Sequence, residues 1–401
     1  MNIKLVRNIE EGIYSPINEQ LFLQTVDGDY HLDSYNGKKV YILNQVTNER
    51  FEILPHIKKY TMADISYGTL EHDYCVFTSA ERVGEDRVKI TFYMYYITDG
   101  SSRIIKMMEV PLAELAENMD IKVFMLDENF CIFETVRYND QGDRKDVLIT
   151  RGLGEHELML HSIDNDEDML LTDSTIAVSG IDKVIPMHGN VCAIKIGCSL
   201  LEEKMYDDIS FDNKFEEIIG IINVKQFISD IRLNQDNIYI DELDRGNENT
   251  TIPYMMKYGN EIVYSKVDVN KKLEEVVIYD YENKIKKVRL NSNITRVSDL
   301  THTYVLNDMP CIIKNSEDVT EVINLNTQKQ ELELGNDVKI KFIIGDLIVT
   351  EKHAGKKLFS RKENCYIEVF KYPDMELPIF STKAKCESCI EYKDNLFIFT
   401  N

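Results

Sequence analysis

Apolar residues along this chain fall in short runs of about five to seven. Val, Ile, Phe and Tyr crowd the runs, and Asn, Asp or Gly separate them. That pattern predicts β-strands joined by tight turns. Helical periodicity is confined to residues 111–119 and 199–209. Both stretches are short, so the pattern points to an all-β chain.

One unit recurs: strand, turn, strand, a variable loop, then a third strand, a polar turn and a fourth. The second strands are clearest as DYCVF from Asp73, NFCIF from Asn129, NVCAI from Asn190 and NEIVY from Asn260. MPCII from Met309, DLIVT from Asp346 and NLFIF from Asn395 continue the series. Their third positions are Cys75, Cys131, Cys192, Ile262, Cys311, Ile348 and Phe397. Third-to-fourth hairpins recur at residues 40–54, 276–290, 321–334 and 365–380.

Four antiparallel strands repeated at this interval resemble the β-propeller superfamily at the level of the blade. The resemblance covers nearly the whole chain, and its loose motifs single out no particular propeller family. It implies one domain over residues 1–401. Residues 21–35 overlay 303–315 as a first and second strand, which puts His31 in the slot held elsewhere by Cys. Residues 3–16 overlay 41–55 as a third-to-fourth hairpin. Strands within about 2–16 would then complete the blade begun by 386–401, and closure by both termini would remove free sheet edges. The count favours eight blades over seven, with residues 182–290 open to a different division.

The chain has 401 residues, and 69 acidic against 46 basic side chains give a formal net charge of −23. Such a charge opposes phosphate backbones and anionic membranes. No nucleic-acid or membrane partner is expected, and a neutral or basic protein or a small-molecule ligand fits better. No stretch approaches the roughly 20 apolar residues of a membrane helix, and the first residues lack the apolar core of a secretory signal. A cytoplasmic location with reduced thiols is therefore expected for the eight cysteines.

The repeated Cys slot reads as small core residues, too far apart around a ring to be bridged. Cys386 and Cys389 form a lone CxxC, which zinc or redox chemistry would need to supplement with partners. His156 and His161 resemble a zinc-protease motif but are five residues apart, and on a strand they face opposite ways. The acidic run Asp164, Asn165, Asp166, Glu167 and Asp168 lacks the glycine of a calcium loop. Residues 139–143 make a good turn. The insertion 199–215 mixes apolar and acidic residues and reads as a short amphipathic cover for one face. Walker, GxGxxG and GxSxG signatures are missing. There is no Trp, so Asp-box and WD-repeat resemblances fail. No cofactor is expected.

Chemistry then rests on the starts of the predicted inner strands: Gln20, Lys59, Asp120, Asp182, Thr251, His302, Lys339 and Glu387. Of these, Asp120, Asp182, His302 and Glu387 are the candidate binding residues. One reading is a non-enzymatic scaffold that presents loops to a protein or peptide. The alternative is a propeller hydrolase or lyase acting on a sugar-like or lactone substrate. There these carboxylates and the imidazole would hold a divalent metal or act as acid and base.

Overall fold

The computed structural model describes residues 2–7, 13–16, 21–26, 30–31, 34–35, 39–47, 49–52, 74–96, 101–113, 119–137, 155–197, 199, 216–234, 236–294, 302–307, 309–315, 319–335, 338–354, 364–392 and 395–400. Contacts divide the chain into two compact units, residues 1–63 with 301–401 and residues 64–300. Both are built from sheets that are antiparallel but for one parallel pair, most of them four-stranded, and the fold is mostly β. Among the described residues no helix is long and apolar enough to cross a membrane.

Among the described residues the unit of residues 64–300 holds four sheets in chain order. Sheet II contains Tyr74–Val83, Arg87–Tyr96 and Ser102–Pro111. Sheet III contains Met119–Met125, Phe130–Arg137, Glu155–Ser162 and Glu167–Leu170. Sheet IV contains Ile181–Pro186, Val191–Ile196, Ile218–Asn223 and Asp241–Arg245. Sheet V has Glu261–Asp268, Leu273–Asp280 and Ile285–Asn293, with Thr250–Thr251 and Met255–Tyr258 both paired to the first of these. The irregular span 182–290 thus resolves into sheets IV and V.

Successive sheets share apolar layers, which explains the uninterrupted apolar runs. Strand Val191–Ile196 is buried along its whole length. Cys192, Ile194 and Ile196 join the layer shared with sheet III, and Val191 and Ala193 the layer shared with sheet V. Alternate side chains of a strand face opposite ways, so both faces must be apolar.

Two helices of this unit are described whole, α1 (Ser174–Ser179) and α2 (Val224–Arg232). Asp173 caps α1, accepting from the amides of Thr175 and Ile176 at 3.0 and 3.1 Å. Asn223 caps α2, whose Val224, Phe227, Ile228 and Ile231 form a buried stripe. Neither of these helices lies within 111–119 or 199–209. In the first stretch Pro111 closes a strand, Leu112 and Ala113 are helical and Met119 opens the next strand, while residues 114–118 and 200–215 lie outside the described residues.

Among the described residues the other unit holds four larger sheets and a two-stranded ribbon. Sheet I contains Ile13–Pro16, Leu21–Val26, Lys39–Asn44 and Glu49–Glu52. Sheet VI contains His302–Leu306, Met309–Asn315, Val319–Asn324 and Gln330–Gly335. Sheet VII contains Val338–Ile344, Leu347–Ala354, Asn364–Lys371 and Phe380–Thr382. Sheet VIII contains Cys386–Tyr392, Asn395–Thr400 and Asn2–Arg7. Apolar layers join sheets VI and VII, VII and VIII, and VIII and I.

Two expectations for the amino-terminal region are corrected. Ile13–Pro16 is the first strand of sheet I and Leu21–Val26 its second. The common slot is therefore filled by Phe22, packed edge-on against Phe397 and Phe399. His31 sits instead in a separate ribbon with Ser34–Tyr35. Residues 3–16 form no single hairpin either. Asn2–Arg7 pairs with Asn395–Thr400, in parallel, and Ile13–Pro16 belongs to the next sheet. No turn joins residue 400 to residue 2, so nothing imposes the antiparallel direction of a hairpin.

The slot itself marks burial. Cys131, Cys192, Ile262, Cys311, Ile348 and Phe397 are all buried, and Cys75 lies in strand Tyr74–Val83. The slot does not mark one face, however. Cys192 and Ile262 join layers shared with the preceding sheet. Cys311 and Phe397 join layers shared with the following one. A shift of one residue reverses the face, and strands buried on both sides tolerate either register.

Candidate functional site

Within each unit the first strands of successive sheets lie side by side. Met119–Met125, Ile181–Pro186 and Met255–Tyr258 form one row. His302–Leu306, Val338–Ile344, Cys386–Tyr392 and Ile13–Pro16 form the other. Of the predicted rim residues, Asp120, Asp182, His302, Lys339 and Glu387 fall within the first two positions of these strands, whereas Thr251 closes the separate strand Thr250–Thr251. Asp120 is the second residue of its strand, opposite Val136, and His302 opens its strand opposite Ile313. Lys339 lies opposite Glu351. Gln20 and Lys59 lie outside the described residues. Asp120 and Asp182 belong to one unit, His302 and Glu387 to the other.

Asp182 and Glu387 both sit at register shifts, where an extra residue bulges from the first strand. Asp182 accepts from Lys195 Nζ at 2.7 Å, and Lys195 donates also to Gly197 O at 3.1 Å. The Lys195 side chain is 1% exposed and that of Asp182 35%. The carboxylate neutralises a charge buried in the sheet behind it. Glu387 pairs with Lys385 at 3.1 Å, its side chain only 10% exposed.

A second tier of polar and charged groups lies behind this rim. Three residues past the slot, the second strands of sheets III, IV, V, VII and VIII carry Glu134, Lys195, Ser265, Glu351 and Thr400, all buried. Glu134 Oε1 accepts from the Ile181 amide at 3.0 Å. Glu351 Oε2 accepts from the Cys386 amide at 3.2 Å. Glu217, at the head of a third strand, accepts from the Ile252 amide at 2.6 Å and the Thr251 hydroxyl at 2.6 Å. Each glutamate thus holds an amide at or near the start of the next sheet. A buried carboxylate stays in place only when such donors replace its water.

Glu134 also meets His156. The two occupy diagonal positions on neighbouring strands of sheet III, with Nδ1–H donating to Oε1 at 2.8 Å. Gly180, at φ +72°, passes directly over the pair, and a Cβ there would collide with Glu134 Oε1 and His156 Nδ1. The His156 side chain is 5% exposed. Its Nε2 is buried with no hydrogen-bond partner among the described residues. His161 points the other way, its Nδ1 2.9 Å from Asp168 and its Nε2 2.9 Å from Ile105 O.

The remaining motifs have structural roles. Asp164 pairs with Arg103 at 2.7 Å, and Asp168 with Lys106 and His161. Burial would raise the Asp168 carboxyl, but hydrogen bonds from Lys106 and His161 outweigh it and hold it below the usual range. Cys131, Cys192, Cys311, Cys386 and Cys389 are free thiols, and all five are buried. Burial pushes the Cys192 thiol up to about 12 and the Cys311 thiol up to about 11. Cys192 and Cys311 are inert core residues. No group of three His, Cys, Asp or Glu side chains gathers for a metal among the described residues. The acids behind the rim escaped the sequence reading because they close apolar runs such as FCIFE and DLIVTE. A charge in that place was their visible signal.

No protein-family model matches the chain, and no curated protein matches it by sequence. Solved structures do. Dipeptidyl peptidase 4 of Porphyromonas gingivalis aligns with 88% of this chain and 49% of its own, at 9% identity and a TM-score of 0.52. This chain thus spans about half of that protein. An oligogalacturonate lyase in complex with manganese aligns over 83% of this chain and 82% of its own, at 12% identity and 0.45. The oligogalacturonate lyase of Vibrio parahaemolyticus aligns over 88% and 86%, at 9% identity and 0.47. The likeness is one of fold. The similar structures are propeller proteins, several of them enzymes.

Proposed function

We propose that the chain is a binding module built as one propeller of eight blades. In this reading it takes a protein or peptide at the rim where the first strands begin. The observation that carries it is the pairing of Asp182 with Lys195. The carboxylate that a metal or substrate would use at that point is already committed to a buried cation. The proposed contact residues are Asp120 on one unit and His302 and Glu387 on the other. The net charge of −23 selects a basic partner, and free thiols suit the cytoplasm.

The test is to pan a random peptide library against the immobilised chain. Lys- and Arg-rich peptides should be enriched, and their affinity should fall steeply with salt. Enrichment without charge bias, or binding indifferent to salt, overturns the reading.

One observation favours the hydrolase or lyase alternative. A carboxylate-oriented imidazole with a bare Nε2 is the form a general base takes, and His156 has that form. If turnover of a lactone or an acidic sugar oligomer is found, His156→Gln should abolish it. Undiminished turnover in that variant dismisses the alternative site.

A further inference from the structure

Cys386 and Cys389 lie on strand Cys386–Tyr392. On a regular strand a spacing of three puts two side chains on opposite faces. The register shift between Cys386 and Ser388 makes Glu387 an extra residue and changes that outcome. Both cysteines enter the apolar layer shared by sheets VII and VIII, and their Sγ atoms stand 3.5 Å apart. The bulge is fixed from two sides, by Glu351 on the Cys386 amide and by Lys385 on Glu387. A disulfide needs its sulfurs at about 2.0 Å, so a small tightening of the bulge separates this pair from a bond.

We propose that Cys386 and Cys389 are a redox-active dithiol that a peroxide closes to a disulfide across the bulge. One sulfur attacks a peroxide oxygen, the O–O bond breaks, and a sulfenic acid and a water form. The second thiol attacks the sulfenic sulfur and expels the other water. In total two thiols and one hydrogen peroxide give one disulfide and two waters, with two electrons passing from sulfur to oxygen. A dithiol reductant reverses the change by exchange. Closure is slow, because the hydrogen bond with Cys386 and then burial raise the Cys389 thiol and leave little thiolate. This inference stands apart from the reading of the rim, since it requires neither a partner nor a substrate.

The experiment exposes the folded full chain to hydrogen peroxide, quenches, alkylates in denaturant and digests with trypsin. Cleavage after Lys385 and Lys393 puts both cysteines in one fragment, 386–393. That fragment should come back unalkylated and lighter than the free dithiol by two hydrogen atoms. Dithiothreitol should restore both alkylation sites. Cys386→Ser should leave Cys389 alkylated and no bridge, with the far-ultraviolet circular dichroism unchanged. Two alkyl groups on the fragment, or a sulfinic acid at either cysteine, overturns the proposal. So does bridging no faster than alkylation of buried Cys192 and Cys311 in the native chain, because whole-chain opening would then account for it.

Discussion

Replacing Asp182 tests whether the rim is structural, and the contact with Lys195 supplies the magnitude. Asp182→Ala removes the acceptor 2.7 Å from Nζ and leaves the ammonium with Gly197 O at 3.1 Å. Breaking a buried ion pair from one side costs about 3–5 kcal/mol. Asp182 is 35% exposed, so water replaces part of what is lost, and the lower end, about 3 kcal/mol, applies. Lys195→Met removes the charge and keeps the volume. An apolar substitute of that kind is near neutral, less about 1 kcal/mol for the bond to Gly197 O. Once Lys195 is Met, Asp182 has no cation left to neutralise, and removing it costs little more. The stability of the double variant should match that of Lys195→Met alone, a coupling of about 3 kcal/mol between the sites. Urea titrations of the four proteins, followed by circular dichroism, measure the cycle. Equal losses from the two single variants, or losses that simply add, refute the argument. Asp182 would then be free to serve a ligand.

Gly180→Ala should destabilise by about 3 kcal/mol or more, combining left-handed backbone strain with a collision. Gly84→Ala, at φ +79° with open space around it, should lose only about 1 kcal/mol; comparable melting losses would deny the close approach over His156. Asp244 accepts from Lys266 and Lys286 at 2.6 and 2.7 Å. Burial would raise its carboxyl, but those two hydrogen bonds prevail and hold it below the usual range. Its stabilisation is therefore full above the ordinary value of about 4 and fades as pH falls through the depressed folded value. Asp244→Asn should flatten the acid limb of a melting-temperature profile, and an unchanged limb contradicts the pairing. Cys192 and Cys311 in the native chain should react with Ellman's reagent at least ~100-fold more slowly than in urea. Comparable rates would place them near the surface.

The strand content and the repeat were legible because buried runs such as NVCAI and DLIVT stand between turn residues. The face each slot residue uses was not, since Cys192 and Phe397 occupy the same place in their runs and pack toward opposite neighbours. Helix α2 was legible in principle. Val224, Phe227, Ile228 and Ile231 have helical spacing, but the apolar strand Ile218–Asn223 runs directly into them. Strand starts at Asp120, Asp182, His302 and Glu387 were placed to within a residue or so. What each does was not, because the partner of Asp182 lies thirteen residues away on another strand. Pairing across strands leaves no local mark in the sequence.

The parallel pairing of Asn2–Arg7 with Asn395–Thr400 sets how the fold meets mechanical load. The two strands run the same way, Asn2 opposite Asn395 and Arg7 opposite Thr400. Tension reaching the first strand at Asn2 and the second at Thr400 pulls them past one another along their common axis. All the hydrogen bonds between them then resist together, in shear. Had the two formed the expected antiparallel pairing, the same tension would act at one end and part the bonds in sequence, like a zip.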